Sequence, residues 1–191
     1  MLLEFRPKLD KIVELLLYLS RARPNADKYQ AVKFFYLADK EHLIRHGRPI
    51  TSEMYFALKF GPVASSAMDF LNSDEITMKQ AGIESLPFRT EVVQVAGKPI
   101  TYIREPFRDV DFSLFSKSDI LVFDEVIKLH GNLTFDQLFE LTHSHYAYTR
   151  AWNNRKYGSN RSEMRYEDMI EDKTRRDEIV RDIAPIAAHM E

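Results

Sequence analysis

The sequence predicts a mainly α fold of the α+β kind, a multi-helix domain around a buried central helix, with a small antiparallel β hairpin or sheet. Three observations predict it. Lys33 to Ala38 is apolar almost all round and precedes a Gly47-Arg48-Pro49 stop, the pattern of a helix buried on every side. Most other segments place apolar residues at helical spacing behind capping residues. Two β-branched and aromatic runs flank Ala96-Gly97-Lys98-Pro99, a hairpin signal.

Taken in order, Leu9, Ile12, Val13, Leu16 and Leu17 recur at helical spacing, so Lys8 to Arg21 is a first helix between Pro7 and Pro24. Asn25 or Asp27 caps the central helix, which carries Val32, Phe35, Tyr36, Asp39 and Leu43 on one face. It stops at about His46, where Gly47 can turn left-handed and Arg45 and His46 suit the negative end. Tyr55 to Phe60 reads as a short strand closed by Gly61-Pro62; periodicity alone also allows a helix begun by Ser52. Ser65 or Ser66 starts a helix through Leu71, and residues 75–87 read as loop with a short helical turn.

Phe88 to Val95 and Ile100 to Ile103 form the hairpin. Ser118 caps a helix that Gly131 ends. Thr134 with Gln137 is a capping box for Phe135 to Leu141, and His143-Ser144-His145 opens a helix carrying Tyr148 and Trp152. A polar, turn-rich linker follows from Asn153 to Arg161, and Thr174 with Asp177 starts a last amphipathic helix interrupted at Pro185. Residues 1–152 are therefore expected to form one domain, with residues 153–191 packing on it or extending from it.

The 191 residues are 45% apolar, enough for a core that buries roughly 70% of the unfolded surface without metal or disulfide. With 27 basic and 29 acidic residues there is no whole-chain field to attract nucleic acid or an anionic membrane. The absence of cysteine excludes thiol chemistry and suits a reducing cytoplasm. Glu4, Asp10 and Glu14 interrupt the apolar N-terminus, which reads as an amphipathic helix and neither a signal peptide nor a membrane span.

Two ordered blocks carry a resemblance. The first is YLADKEHLIRHGRPIT followed by Met54 to Val63; the second runs through Leu114-Phe115-Ser116, Asp119, Asp124-Glu125-Val126, His130 to Thr134, Leu141-Thr142-His143 and Ala151-Trp152. Together, over roughly Asp27 to Trp152, they resemble the Panacea domain, the SocA-like antitoxin domain formerly of unknown function. The chain has Ser52-Glu53 where that family usually has Gly-Asp, and Ala64 where it usually has Pro. The resemblance implies a bacterial or prophage-encoded cytoplasmic antitoxin that neutralises a cognate toxin by direct contact. One family member is a proteolytic adaptor, so an ATP-dependent protease is a second implied partner.

Among candidate site residues, Asp39, His42 and His46 have the spacing to face one side of a helix as metal ligands, though the glutamate of a zinc-protease motif is missing. Asp39, Arg48 and Lys59 suggest a buried ion pair or a polar site at the helix end, since a lone buried charge costs several kcal/mol. His143 reads as a capping or core histidine, because no nucleophile motif and no phosphate loop accompanies it. Trp152 reads as core or as an anchor at a binding groove. With the motif positions Thr51, Tyr55, Gly61 and Pro62, these make the expected partner-binding or polar cluster, and a surface near the Gly61-Pro62-Val63 turn, Ser65 to Leu71 and the hairpin is the expected interface. No cofactor is called for and the expectation is a non-enzyme. A metal- or histidine-dependent enzyme is the alternative, and a DNA-binding autoregulator would need a continuous basic face that the scattered pairs Arg21-Arg23, Arg45-Arg48 and Arg175-Arg176 do not supply.

Overall fold

A computed structural model describes residues 2–189, and it is mainly α with two small antiparallel sheets. Helix α1 spans Leu9–Ala22 and α2 spans Lys28–His46. The Asp27 carboxylate accepts from the Gln30 amide in a capping box, and Gly47 ends the helix at φ +75° with its N–H donated to Leu43 O. Asn25, the other cap considered, instead lies in a left-handed turn at φ +70°. Helix α2 is buried from Ala31 to Asp39 and again at His42 and Leu43. Phe34, Phe35 and Tyr36 are wholly buried, each worth about 1.5–3 kcal/mol of apolar burial.

Strands β1 (Tyr55–Leu58) and β2 (Gly61–Ala64) pair with Leu58 opposite Gly61. The expected single strand Tyr55 to Phe60 closed by Gly61-Pro62 is instead a hairpin: Gly61-Pro62 opens a second strand and Lys59-Phe60 makes the turn. Gly61 lies at φ +99°, a conformation open to glycine that lets the chain double back at once. Helix α3 (Ser65–Leu71) follows. A short helix α4 (Glu75–Gln80) then occupies part of the stretch read as loop, because Asp74 caps it through the Thr77 amide.

Strands β3 (Phe88–Val95) and β4 (Lys98–Pro106) form the expected hairpin, turning through Ala96 and Gly97, both at positive φ. Helix α5 (Lys117–His130) is capped by Ser116, not Ser118, because the reciprocal box forms between Ser116 and Asp119. Helices α6 (Phe135–His143) and α7 (Tyr146–Asn153) follow, α6 with the Thr134–Gln137 box.

The stretch read as linker yields β5 (Arg161–Glu163), which pairs with β1 and completes a sheet of order β2-β1-β5. Helix α8 (Lys173–Ile183) starts at Asp172, not Thr174, because the Asp172 carboxylate takes the Arg175 amide. Arg175 in turn donates to Ile44 O and Arg45 O, covering carbonyls at the end of α2. Helix α2 is the hub, touching α3, α5, α6, β2 and β4. Among the described residues no helix is long and apolar enough to cross a membrane.

Candidate functional site

Three polar side chains leave the buried surface of α2 and each fastens a different segment. Lys33 is buried and donates from Nζ to Phe60 O at 2.8 Å and Pro62 O at 2.7 Å, gripping the β1–β2 turn. Burial lowers its pKa to about 7. A Cβ at Gly61 would stand 2.7 Å from Lys33 Nζ and 3.0 Å from Thr142 Oγ1, so both space and φ demand glycine there.

Asp39 carries the second anchor. Its carboxylate accepts from the amides of Ile50 and Thr51, the Thr51 hydroxyl at 2.6 Å and the Tyr55 hydroxyl at 2.8 Å. Burial pushes its pKa up, opposed by these hydrogen bonds. Beside it Glu53 accepts from Met54 N, Ser66 N, Ser66 Oγ and Ala67 N, and so holds the first turn of α3; burial raises its pKa to about 7. Tyr166 closes the network by donating to Glu53 O at 2.7 Å.

His42 is the third anchor, bonded through Nδ1 to Arg48 O and lying 3.0 Å through Nε2 from Ser118 Oγ. It also lies 3.1 Å from Asp119, which binds Lys11 at 2.7 Å and Arg48 at 2.8 Å. Burial alone would raise the Asp119 pKa, but the hydrogen bonds from His42 and Lys11 hold it well below the usual carboxylate range.

The predicted residues are thus brought together differently from the expected pattern. Asp39 makes no ion pair with Arg48 or Lys59: Arg48 belongs to Asp119, and Lys59 is exposed in the turn with its ammonium 5.5 Å from the Phe60 ring. Hydrogen-bond donors satisfy the Asp39 carboxylate without a cation, and the buried lysine of α2 is Lys33. The His42 and His46 rings lie 4.5 Å apart, tilted by 39°, yet the Asp39 and His42 polar atoms are committed to different segments. Among the described residues no three His, Asp or Glu side chains converge as a metal cluster. Sequence reasoning missed Lys33, Glu53, Asp119 and Tyr166 as anchors. Lys33 was readable on the same grounds as Asp39, a charge beside the apolar stretch of a buried helix.

Outside this framework runs a ladder of rings. Phe60 packs at 6.1 Å on Phe135, which packs at 4.4 Å on Tyr29 and at 6.1 Å on Phe139. Phe139 stacks at 3.6 Å on His143, His143 lies 4.3 Å from Tyr148, and Tyr148 stacks on Trp152, which Arg155 covers at 4.0 Å. His143 sits between Phe139 O and Lys59 O, and burial lowers its pKa. Phe60 is 53% and Phe135 49% exposed, large values for rings with so many partners. The buried Tyr29 hydroxyl within the ladder has no hydrogen-bond partner among the described residues. Such an array suits contact with another protein, where aromatic side chains supply large area at little entropic cost.

Comparison with protein families decides the affiliation: the family described as Antitoxin SocA-like, Panacea domain, matches residues 32–153. The chain belongs to that family. No curated protein and no solved structure matches it. The Panacea match runs from α2 through α7, so it contains all three anchors, the β1–β2 turn and the ladder rings from Phe60 to Trp152, while Tyr29 precedes it. The chain's departures from the usual Panacea pattern also find their places. Ser52 occupies φ +56°, where the usual glycine is unstrained; Glu53 does the capping of an acidic residue; Ala64 has φ −72°, a value proline shares.

Proposed function

We propose that this protein is an antitoxin that neutralises a cognate toxin by direct protein contact, with the ring ladder around the Lys59-Phe60 turn as the contact surface. The observation that carries the reading is the exposure of Phe60 and Phe135 on a rigid base: the turn is held from beneath by Lys33, and Phe135 opens a capped helix. Rigid aromatic anchors lose little freedom on binding and make interface hot spots. Lys59 and Arg155 beside the rings supply the polar rim of such a patch.

The polar groups that a catalytic reading would use are engaged in construction. His42 binds Arg48 O and Ser118, His143 lies between two backbone carbonyls, and Asp39 holds the Ile50-Thr51 segment. In this reading the chain acts in the cytoplasm and the toxin is the product of an adjacent gene. Co-expression with that product tests it: growth is rescued and the two proteins co-purify. Failure of both, with a neighbour toxic on its own, removes the reading for that pair. The toxin level in rescued cells separates two modes, a stable complex leaving it unchanged and hand-over to an ATP-dependent protease lowering it.

A further inference from the structure

The β3–β4 hairpin has one side open. The outer side of β4 is taken, since Ile103 donates to Ala26 O and accepts from Asn25 N, and β4 is the strand that packs on α1 and α2. The sheet ends at β3. Which groups β3 leaves free follows from the ladder. The two-residue turn at Ala96-Gly97 makes Val95–Lys98 a hydrogen-bonded pair, so Val93–Ile100 and Glu91–Tyr102 are bonded pairs too. Gln94–Pro99, Val92–Thr101 and Thr90–Ile103 alternate with them, which suits Pro99, with no N–H, and Ile103, whose polar groups point the other way. Thr90, Val92 and Gln94 therefore turn their N–H and C=O groups outward, and among the described residues no other backbone group meets them.

Proteins usually blunt such an edge with proline, lysine or a bulge. Strand β3 carries neither residue, and the bulge near its start puts the extra residue on β4. Its two charges are held inside the hairpin, Arg89 by Glu105 and Glu91 by Arg104. Val92, in the middle of the edge, is 62% exposed.

We propose that this edge pairs with the same edge of a second copy, antiparallel about a two-fold axis at Val92, joining two hairpins into one four-stranded sheet. In that register Val92 faces its own counterpart and Thr90 faces Gln94, so every outward group of both strands is bonded. The charges select the same register. Glu91 meets Val93 and Arg89 meets Val95, whereas centring on Glu91 would set that carboxylate against its own copy. Centring on Thr90 or Val93 would run an outward residue past the end of the strand. An interface of this size is of the weak class, with a Kd of about 10–100 μM. It shares no residue with the ring ladder, so it stands whether or not that surface meets a toxin.

Sedimentation velocity of the full chain between about 5 and 500 μM should show monomer giving way to dimer. Val92→Pro removes an outward N–H and no bond of the β3–β4 ladder, so the hairpin should persist while the dimer is lost. The chain has no cysteine, so Val92→Cys should form a disulfide-linked dimer on oxidation, whereas Val95→Cys, far from its counterpart in this register, should stay monomeric. A monomer at about 500 μM overturns the proposal and leaves the edge to an extended segment of another protein. A folded Val92→Pro variant that dimerises like the wild type, or Val95→Cys linking as readily as Val92→Cys, also overturns it.

Discussion

The two ends of α2 use the same device to different effect. At its C-terminal half, Asp39 fastens the Ile50-Thr51 segment, which is itself buried, and His42 reaches the half-buried Ser118 at the start of α5. At its N-terminal half, Lys33 fastens a turn whose next residue outward, Phe60, faces solvent. The difference shows that a buried charge alone does not mark a functional surface. The informative feature is a buried anchor beneath an exposed apolar side chain, since the anchor makes that side chain rigid.

The comparison breaks most visibly at Asp39. Asp39→Ala leaves the Ile50 and Thr51 amides and the Thr51 and Tyr55 hydroxyls without their acceptor, so a loss of about 3–5 kcal/mol is expected, measurable as a lower urea midpoint. Gly61→Ala comes next: positive φ and the 2.7 Å approach to Lys33 predict a cost of about 1–3 kcal/mol, together with loosening of the turn. Amide exchange at Lys59 to Val63 would report it.

Lys33 gives a pH signature. Its folded pKa is lowered to about 7 from 10.5, so between these values the unfolded chain binds one proton more than the folded one, and stability rises with pH. The contribution is fully present above pH 10.5 and is lost as pH falls through about 7. The stability of wild type relative to Lys33→Met should therefore climb by about 1 kcal/mol per pH unit across that window, and equal slopes for the two proteins would contradict it. The smallest effect is a gain: Ser52→Gly, relieving φ +56°, should raise stability by up to about 1 kcal/mol.

Much of the framework was legible because its signals are local. The Gly47 stop on α2, the Ala96-Gly97 hairpin turn and the Thr134 box each depend on a few neighbouring residues, and each formed where the pattern placed it. Strand β5 was not legible, since Arg161 to Glu163 is a strand only by virtue of β1 alongside it. The site divides in the same way. Asp39 could be seen to need donors, but that those donors are Ile50, Thr51 and Tyr55, with neither Arg48 nor Lys59 among its partners, depends on how the chain returns after Gly47. The ladder joins four separate segments, α2 at Tyr29, the β1–β2 turn at Phe60, α6 and α7, and has no periodicity in the sequence.

The most direct test of the toxin-binding surface is the double variant Phe60→Ser/Phe135→Ser, co-expressed with the product of the adjacent gene alongside the wild type. Both side chains are about half exposed, so the variant should stay folded, with a melting temperature lowered by the lost ring contacts to Tyr29 and Phe139. The account predicts that the wild type rescues growth and co-purifies with the toxin while the folded variant does neither. A folded variant that rescues and co-purifies as well as the wild type would contradict it.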